Sequence, residues 1–418
     1  MNIDAQFFYC LLRDEDPMPL AHVPREWFHE PWVTVYDFVR ECLSSPKMKR
    51  LPQIETVIAK FGVEFMETAE DLGFYVEELC KRKTRLEVEE LIRDVAIPLI
   101  ESPSDPMYNP AKAAQVLLEG SAEITRRNRR SYDQHLDYWK DVKVRIDILK
   151  KRQAQKGLTG IPYPFDPLNY ATGGLIDGEL TVFLGASGIG KSWFLALTAM
   201  NALKLNYPGA IFSQEMRPRE LSLRLDLLGA GVAPQRAWDG SYREHEWQKL
   251  RDYYHAITTE EKPYFQLFGP SDVRSLADFE ATLASIRPKI SWVAWDSPYL
   301  LCRGEKWELR ADFVRTLKAL AEDYNIPIFV TWQLNSDGEP AYTRAVYTDA
   351  DHNFKATEDR DLRQLRISST KTRDGLHLES LLLKWDLYNG EFGTIGFNIP
   401  GFRDSSQDTR ASWGPPKP

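Results

Sequence analysis

Residues 180–206 read LTVFLGASGIGKSWFLALTAMNALKLN, an apolar run followed by a glycine-rich loop and then by a helical pattern. The loop has the form G-x-x-x-x-G-K-S and extends from Gly185 to Ser192. Glycines at these positions let backbone N–H groups surround phosphate oxygens, and the helix that follows adds the positive end of its dipole. Because the motif stands in the strand–loop–helix context that it requires, it predicts a nucleoside-triphosphate site in an α/β fold.

The two residues that end the motif point to phosphate chemistry. A glycine-rich turn before a helix would explain the glycines, but it would explain neither Lys191 nor Ser192. Lys191 is expected to reach the β- and γ-phosphates, and the Ser192 hydroxyl is expected to hold Mg²⁺. The predicted ligands are therefore ATP and Mg²⁺, and the predicted phosphate-binding residues are Gly185, Ala186, Ser187, Gly188, Ile189, Gly190, Lys191 and Ser192.

The composition is that of an ordinary soluble globular protein. With 418 residues, 43% hydrophobic and 27% charged, the chain has room for two or three domains. It has no run of 18 apolar residues and no signal peptide at its start, so we expect a cytoplasmic protein without a membrane span. Its four cysteines form no C-x-x-C pair, which is typical of reduced thiols. The net charge of −8 argues against a generally basic nucleic-acid binder but permits a locally basic channel.

The periodicity divides the chain into four parts. Residues 1–125 show helical apolar stripes without nucleotide motifs, which predicts a small all-α domain. Residues 126–158 read as a linker with a helix from about Tyr132 to Arg152, whose narrow apolar stripe would dock on a partner surface or pack on its own chain. An arginine cluster at 126–130 either meets nucleic acid or is a solvated linker face. Residues 159–402 form an α/β domain, and 403–418 read as a disordered tail.

Near-continuous apolar runs in the third part predict a mainly parallel sheet that helices cover on both faces. The predicted strands are 180–184, 210–213, 292–295, 328–331, 365–370 and 380–385. Polar residues follow three of them, and parallel strands bring their carboxyl ends to one edge. Asp296 is expected to hold Mg²⁺, although an aspartate there can also cap a helix. Glu215 is expected to orient or deprotonate the attacking water, and Gln333 to sense the γ-phosphate.

Several further motifs resemble DnaB-type replicative helicases, whose ATPase domain is RecA-like. The matching segments are TGIPYPFD at 159–166 with GLIDGE at 174–179, AIFSQEM at 210–216 with 220–224, IPIFVTWQLN at 326–335 and KTRDG at 371–375. The resemblance covers nearly the whole chain and is specific from about 159 to 385. Departures are Ser297-Pro298 after Asp296 and the absence of a recognisable acidic segment after the glutamine motif. The loop GASGIGKS is closer to those of phage ring helicases, which favours a bacteriophage source.

The resemblance implies a homohexameric ring that translocates on single-stranded DNA by hydrolysing ATP. It also implies that Lys371 and Arg373 enter the nucleotide site of a neighbouring subunit, although both could be ordinary turn cations. A primase and a helicase loader would be partners of the N-terminal domain. Two other functions stay open: a non-unwinding RecA-like ATPase, and a nucleotide-gated scaffold with slow hydrolysis.

A long stretch after the glutamine motif, 336–363, reads as irregular. In RecA-like rings this region faces the pore, so Arg344, Lys355 and Arg360 are candidate contacts to DNA phosphates. Seven acidic residues in the same stretch argue against a simple basic patch, namely Asp337, Glu339, Asp349, Asp351, Glu358, Asp359 and Asp361. Long loops in compact domains are usually functional or disordered.

Overall fold

The computed structural model describes residues 2–15, 17, 20, 23–45, 50–128, 138–139, 142–155, 157–302 and 307–400. The chain divides into two compact units, Met1–Asp141 and Val142–Pro418. The division falls inside the predicted linker, and the predicted domain bounds stay predictions. The predicted disordered tail, 403–418, lies outside the described residues. Within the described part of the chain, no helix combines the length and the apolar character that crossing a membrane requires.

The first unit is helical, as predicted. Its helices are α1 (Ile3–Arg13), α2 (Trp32–Ser44), α3 (Ile54–Phe61), α4 (Leu72–Glu90) and α5 (Pro110–Asn128). A π-helical segment, Leu91–Ala96, continues α4. The apolar stripes pack into one aromatic-rich core that includes Phe7, Phe8, Phe28, Trp32 and Tyr75. Arg82 of α4 also binds the buried Asp4 of α1 across 2.6 Å, so a charge pair supplements the apolar packing.

The predicted linker helix is only partly correct. Helix α6 extends over Val142–Ala154, whereas Tyr138 and Trp139 lie in a turn. The prediction that Trp139 belongs to the helix was therefore wrong. Apolar residues on the two sides of a turn can have helical spacing by chance. Its residues 132–137 lie outside the described part of the chain. In α6 the side chains of Val142, Val144, Ile146, Ile148 and Leu149 are all exposed. Positions 144 and 148 lie on a different face from 142, 146 and 149, so the apolar surface is wider than the predicted stripe.

A nine-stranded sheet organises the second unit. Its strands are β1 (Leu180–Gly185), β2 (Gly209–Ser213), β3 (Phe265–Phe268), β4 (Trp292–Asp296), β5 (Ile328–Gln333), β6 (His352–Asp359), β7 (Gln364–Thr372), β8 (Ser380–Asp386) and β9 (Glu391–Asn398). The spatial order is β3-β2-β4-β5-β1-β6-β7-β8-β9. The first six in this order pair in parallel, and β7, β8 and β9 add antiparallel pairs. The predicted mainly parallel sheet is thus confirmed.

Helices surround this sheet on both faces. They are α7 (Asp166–Thr172), α8 (Lys191–Lys204), α9 (Pro218–Ala230), α10 (Pro234–Asp239), α11 (Glu244–Thr259), α12 (Leu276–Ile286), α13 (Trp307–Asp323) and α14 (Ala345–Asp349). Successive side chains of β1 enter different cores: Phe183 joins one hydrophobic cluster, while Val182 and Leu184 join the other. All six residues of β1 are buried, which explains its uninterrupted apolar sequence.

The stretch 336–363 is not irregular, and that prediction was wrong. It contains α14 and β6, and β6 begins with two fully buried polar residues, His352 and Asn353. His352 Nε2 lies 2.8 Å from Glu179 Oε2, and Asn353 Nδ2 donates to the carbonyl oxygen of Val346 at 3.0 Å. Buried strands are recognised in a sequence by their apolar residues. Strand β6 was not recognised because its first residues are polar and are buried through hydrogen bonds with other parts of the chain. Strands β3 and β9 were also not predicted.

Phe194 of α8 connects the helix to the central strand. Its ring is fully buried and stacks on Phe183 with ring centroids 4.0 Å apart. Phe194→Ala should lower the free energy of unfolding of the second unit by about 3–5 kcal/mol, because a buried ring leaves a cavity. Denaturant unfolding followed by tryptophan fluorescence measures the change. Leu223→Ala on α9, a residue 51% exposed, is the control and should shift it by about 0.5 kcal/mol at most. Equal losses in both variants would contradict the assigned core.

Candidate nucleotide site

The phosphate loop lies between the end of β1 and the start of α8, where the sequence predicts it. Gly190 has φ 92° and precedes α8, and a Cβ atom at this residue would lie 2.8 Å from Trp385 Nε1. Trp385 Nε1 also donates to the carbonyl oxygen of Ile189 at 3.1 Å. Lys191 Nζ donates to the carbonyl oxygen of Ala186 at 2.8 Å, so the lysine closes the loop on itself. The loop is therefore stabilised by a hydrogen bond between two of its own residues and by a second one from Trp385 of β8.

Parallel pairing brings the predicted catalytic residues to the same edge of the sheet. Gly185 pairs with Gln333, and Ser213, two residues before Glu215, pairs with Asp296. A cavity of about 230 Å³ lies at this edge, and its lining includes Lys191, Ser192, Glu215 and Gln333. Asp296 is 1% exposed and interacts with Ser192, a residue of the lining. The structure thus assembles these predicted residues from four different strand ends.

Asp296 is held by hydroxyl groups. Its Oδ1 accepts a hydrogen bond from Thr331 Oγ1 at 2.6 Å, and that hydroxyl accepts one from the Ser297 amide at 2.8 Å. Burial raises the pKa of Asp296, and the hydroxyls of Thr331 and Ser192 oppose this shift. Among the residues that the structure describes, none forms a hydrogen bond with the buried Asp296 Oδ2. An unsatisfied carboxylate oxygen near a serine hydroxyl is a donor set that suits a hard cation, so these residues fit Mg²⁺.

Two residues that the sequence did not assign to the site orient predicted ones. Ser297 Oγ donates to Glu215 Oε2 at 3.2 Å, and Ser297 has φ 61°, a left-handed conformation that turns the chain sharply after β4. Tyr299 Oη donates to Gln333 Oε1 at 2.8 Å, which leaves the amide Nε2 as the group that can donate to a ligand. The only signal for Ser297 was that it departs from the family's pattern. Tyr299 gave none.

Arg224 of α9 is a further lining residue that was missed. Its guanidinium lies 5.0 Å from the ring centre of Trp193, which also lines the cavity. Burial lowers the pKa of Arg224, and the negative charges of Asp296 and Glu215 oppose the shift. Burial lowers the pKa of Lys191 in the same way. Two partly desolvated cations beside one cavity favour an anionic ligand, because the ligand's charge offsets the loss of water.

Lys371 and Arg373 do not lie in this cavity. Thr372 pairs with His352, and His352 pairs with Thr181 near the start of β1. Arg373, whose amide bonds to Asp351 beside Leu180, is therefore at the opposite edge of the sheet from the phosphate loop, about 16 Å from Gly185 along β1 at 3.3 Å per residue, and Lys371, level with Val182, is about 10 Å from it. Arg373 Nη1 donates to Asp351 Oδ1 at 2.8 Å, and Lys371 Nζ donates to the carbonyl oxygen of Thr348.

The three candidate DNA contacts form two groups. Arg344 pairs with Glu339 at 3.2 Å, and Lys355 Nζ donates to the carbonyl oxygen of Gly338 at 3.0 Å, so both flank one turn. Arg360 lies elsewhere, in the turn between β6 and β7. It pairs with Glu358, and its Nη2 lies 3.3 Å from where a Cβ on Gly188 would be. Contact of these residues with DNA stays a prediction.

Thr331→Val tests the hydroxyl that supports Asp296. The variant should lose about 1–3 kcal/mol of unfolding free energy, because the Ser297 amide and Asp296 Oδ1 lose their buried partner. The pKa of Asp296 is higher in the folded protein than its unfolded value of 3.8. Protonated Asp296 therefore stabilises the fold below pH 3.8, and this stabilisation is lost as the pH rises through the pKa of the folded state. Removing the hydroxyl raises that pKa further, so the deficit should be smallest below pH 3.8 and grow as pH increases.

Urea unfolding at several pH values, without metal or nucleotide, measures this deficit. Thr198→Val is the matched control, because the Thr198 hydroxyl donates to the neutral carbonyl oxygen of Phe194 at 2.9 Å. Its deficit should not change with pH. A Thr331→Val deficit that is equally independent of pH would contradict the described environment of Asp296.

Comparison with known proteins finds a family and several relatives to which this chain is similar. The DnaB-like helicase C-terminal domain family matches residues 160–345. The replicative DNA helicase DnaB of Leifsonia xyli is 25% identical over 241 residues, which are 56% of this chain and 50% of the relative. That of Helicobacter pylori is 26% identical over 314 residues, 72% of this chain and 60% of the relative. The chain thus spans between half and three fifths of the length of these curated relatives.

Solved structures share the fold. A DnaB-like replicative helicase, described together with its interactions with primase, aligns with a TM-score of 0.58 at 16% identity and covers 94% of this chain and 98% of that one. A separately solved ATPase domain aligns with a TM-score of 0.53 at 18% identity and covers 61% of this chain and 98% of that one. These likenesses confirm the RecA-like ATPase fold and the helical N-terminal region, while a bacteriophage source stays a prediction. Residues 160–345 of this chain, which carry the phosphate loop and the strand ends beside it, match the DnaB-like helicase C-terminal domain family.

Proposed function

We propose that this protein is an ATP-dependent replicative DNA helicase, a ring-forming motor that moves along single-stranded DNA and separates the duplex at the replication fork. The observation that carries the proposal is the division of the expected hydrolytic site between two edges of one sheet. Lys191, Glu215, Asp296 and Gln333 meet at one edge, and Arg373 lies at the other. A complete site then needs a second copy of the chain, as a ring provides.

The residues at the cavity suit hydrolysis of ATP. The loop amides and Lys191 would bind the phosphates, and Ser192 with Asp296 would hold Mg²⁺, which neutralises charge on the β- and γ-phosphate oxygens when bound. Glu215, oriented by Ser297, would accept a proton from the water whose oxygen attacks the γ-phosphorus while the bond to the bridging oxygen breaks. Gln333, oriented by Tyr299, would donate to a γ-phosphate oxygen and so report its loss.

Arg373 and Lys371 of one subunit would act on the nucleotide of the next. A guanidinium neutralises the charge that develops on the γ-phosphate, and its arrival from a neighbour couples hydrolysis to that neighbour's position. Their position supports this role, because neither residue lines the cavity beside its own phosphate loop and both bind groups near the start of β6 or before it.

The remaining parts of the proposal concern partners and place of action. Phosphate contacts from Arg344 and Lys355, with Arg360 as a third candidate, would give sequence-tolerant, salt-sensitive binding to single-stranded DNA. A homohexamer would enclose that strand, and the helical first unit would recruit primase or a loader. A solved DnaB-like helicase described with its primase interactions supports the last point by analogy. The place of action would be the cytoplasm of a bacterium, or of the bacterial host if the chain is phage-encoded.

Strand separation on a forked duplex tests the function. The wild type should separate the strands when ATP is present, and Lys191→Ala should lose both ATP binding and unwinding. Glu215→Gln should keep nucleotide binding but hydrolyse at least about 10²-fold more slowly, because it cannot accept a proton. Glu244→Gln, at a side chain 83% exposed, is the matched control and should behave like the wild type. A wild type that hydrolyses ATP in response to DNA but never unwinds, even when loaded, would favour a non-unwinding ATPase.

Mixing inactive subunits tests the role of Arg373 in trans. Lys191→Ala and Arg373→Ala should each be inactive alone. In random equimolar mixtures about a quarter of the head-to-tail interfaces join an intact Lys191 to an intact Arg373, so part of the ATPase rate should return. The rate is measured with mixed assembly confirmed by differently tagged subunits. Confirmed mixed rings without any recovery would argue against a site shared between subunits.

A further inference from the structure

We propose that Asp351 is a positioning residue that holds Arg373 in the orientation in which its guanidinium reaches the nucleotide of a neighbouring copy. This inference rests on the proposed function, and specifically on the role of Arg373 in trans. No sequence pattern singled out Asp351, which stood among the acids that argued against a basic patch.

The Asp351 carboxylate is 1% exposed and both of its oxygens are engaged. Oδ1 accepts a hydrogen bond from Arg373 Nη1 at 2.8 Å. Oδ2 accepts one from Lys318 Nζ at 2.7 Å and one from the Leu180 amide at 2.8 Å. A buried carboxylate is tolerated when cations and amides compensate its charge in this way.

Arg373 is held at two points, its backbone and its guanidinium. The Arg373 amide donates to the Asp351 carbonyl oxygen at 3.0 Å, so the turn after β7 is fixed to the residue that binds the side chain. The side chain itself is 51% exposed. Because a guanidinium has five N–H groups, one bond to Asp351 leaves donors that can meet a phosphate. A long arginine side chain loses considerable rotamer freedom when it binds a phosphate. Because Asp351 already orients Arg373 in the free subunit, less of that freedom remains to be lost when the nucleotide of the neighbouring copy is bound.

The anchor of Arg373 also belongs to the strand that carries the phosphate loop. Leu180 opens β1 and exchanges two hydrogen bonds with Asp351, through its amide at 2.8 Å and its carbonyl oxygen at 2.9 Å. Gly185 closes β1 at the loop. Lys318 of α13 adds a bond to the carbonyl oxygen of Gly178 at 2.8 Å. The position of Arg373 is thus defined relative to the subunit's own nucleotide site, at the other end of one rigid strand.

A merely structural ion pair would support the fold of the whole subunit, and its loss would harm both edges alike. A positioning role predicts a loss at the Arg373 edge alone. Asp351→Asn should leave the KM for ATP near the wild-type value. It should lower kcat by at least about tenfold. The loss should stay smaller than that of Arg373→Ala, because removal of an arginine finger costs about 10³-fold or more.

Mixed rings separate the two roles. Asp351→Asn mixed with Lys191→Ala should regain ATPase activity, because Lys191 of the first then meets a correctly held Arg373 of the second. Asp351→Asn mixed with Arg373→Ala should not recover, since both variants lack the same function. The matched control is Lys318→Met, which removes the other cation on Asp351 and leaves Arg373 paired; it should keep activity near the wild type.

Asp351→Asn removes one of the two carboxylates that pair with the partly buried Lys318 and leaves only Glu322, at 3.0 Å, which is itself destabilising. If this variant does not fold, the double variant Lys318→Met/Asp351→Asn removes both charges and is compared with Lys318→Met in the same mixtures. The inference is overturned if the Asp351 variant hydrolyses at the control rate. It is also overturned if that variant fails to complement Lys191→Ala while Arg373→Ala does complement it. Failure of Arg373→Ala to complement overturns the trans role and this inference together, and a wild type without ATPase activity overturns the proposed function itself.

Discussion

The parallel pairing of β1 with β5 on one side and β6 on the other is the constraint on which the site depends. This pairing sets Gly185 beside Gln333, so the phosphate loop begins where the glutamine ends its strand. It also sets Thr181 beside His352, and through β7 it brings the turn with Arg373 to the start of β1. A shift of one residue would exchange the two faces of β1 and move Phe183 out of its core. Burial of every β1 residue therefore fixes the register, and the register fixes both edges.

Hydroxyl groups hold the carboxylates of the cavity. Thr331 and Ser297 bind Asp296 and Glu215 with neutral donors, whereas the cations Lys191 and Arg224 are partly buried near them. Neutral donors orient the carboxylates and leave their charge available. A polyphosphate with a hard cation matches this arrangement, because its negative oxygens meet the cations and its metal meets Asp296.

The sequence predicted the parts of the site that local pattern determines. The phosphate loop, Glu215, Asp296 and Gln333 all follow apolar strands, and parallel strands collect their carboxyl ends. Arg224 was missed because it lies within a helix, where only tertiary packing decides which residue faces the cavity. Strand β6 was missed because His352 and Asn353 are polar and buried, and the partner of His352, Glu179, is 173 residues away in the sequence. Residues whose burial depends on distant partners leave no periodic signal.

The two-edge arrangement also bears on assembly. If the edge with Arg373 completes the site at the other edge of a neighbour, the contact joins two different surfaces and is heterologous. A two-fold dimer satisfies it only when both edges fall within one self-complementary patch, because each edge of one copy must then face the other edge of its partner. Head-to-tail association leaves an incomplete site at each end of an open chain, and only closure removes both. A ring closes such a head-to-tail chain so that every phosphate loop meets an Arg373, and the rotation between copies, set by the subunit interface, decides their number.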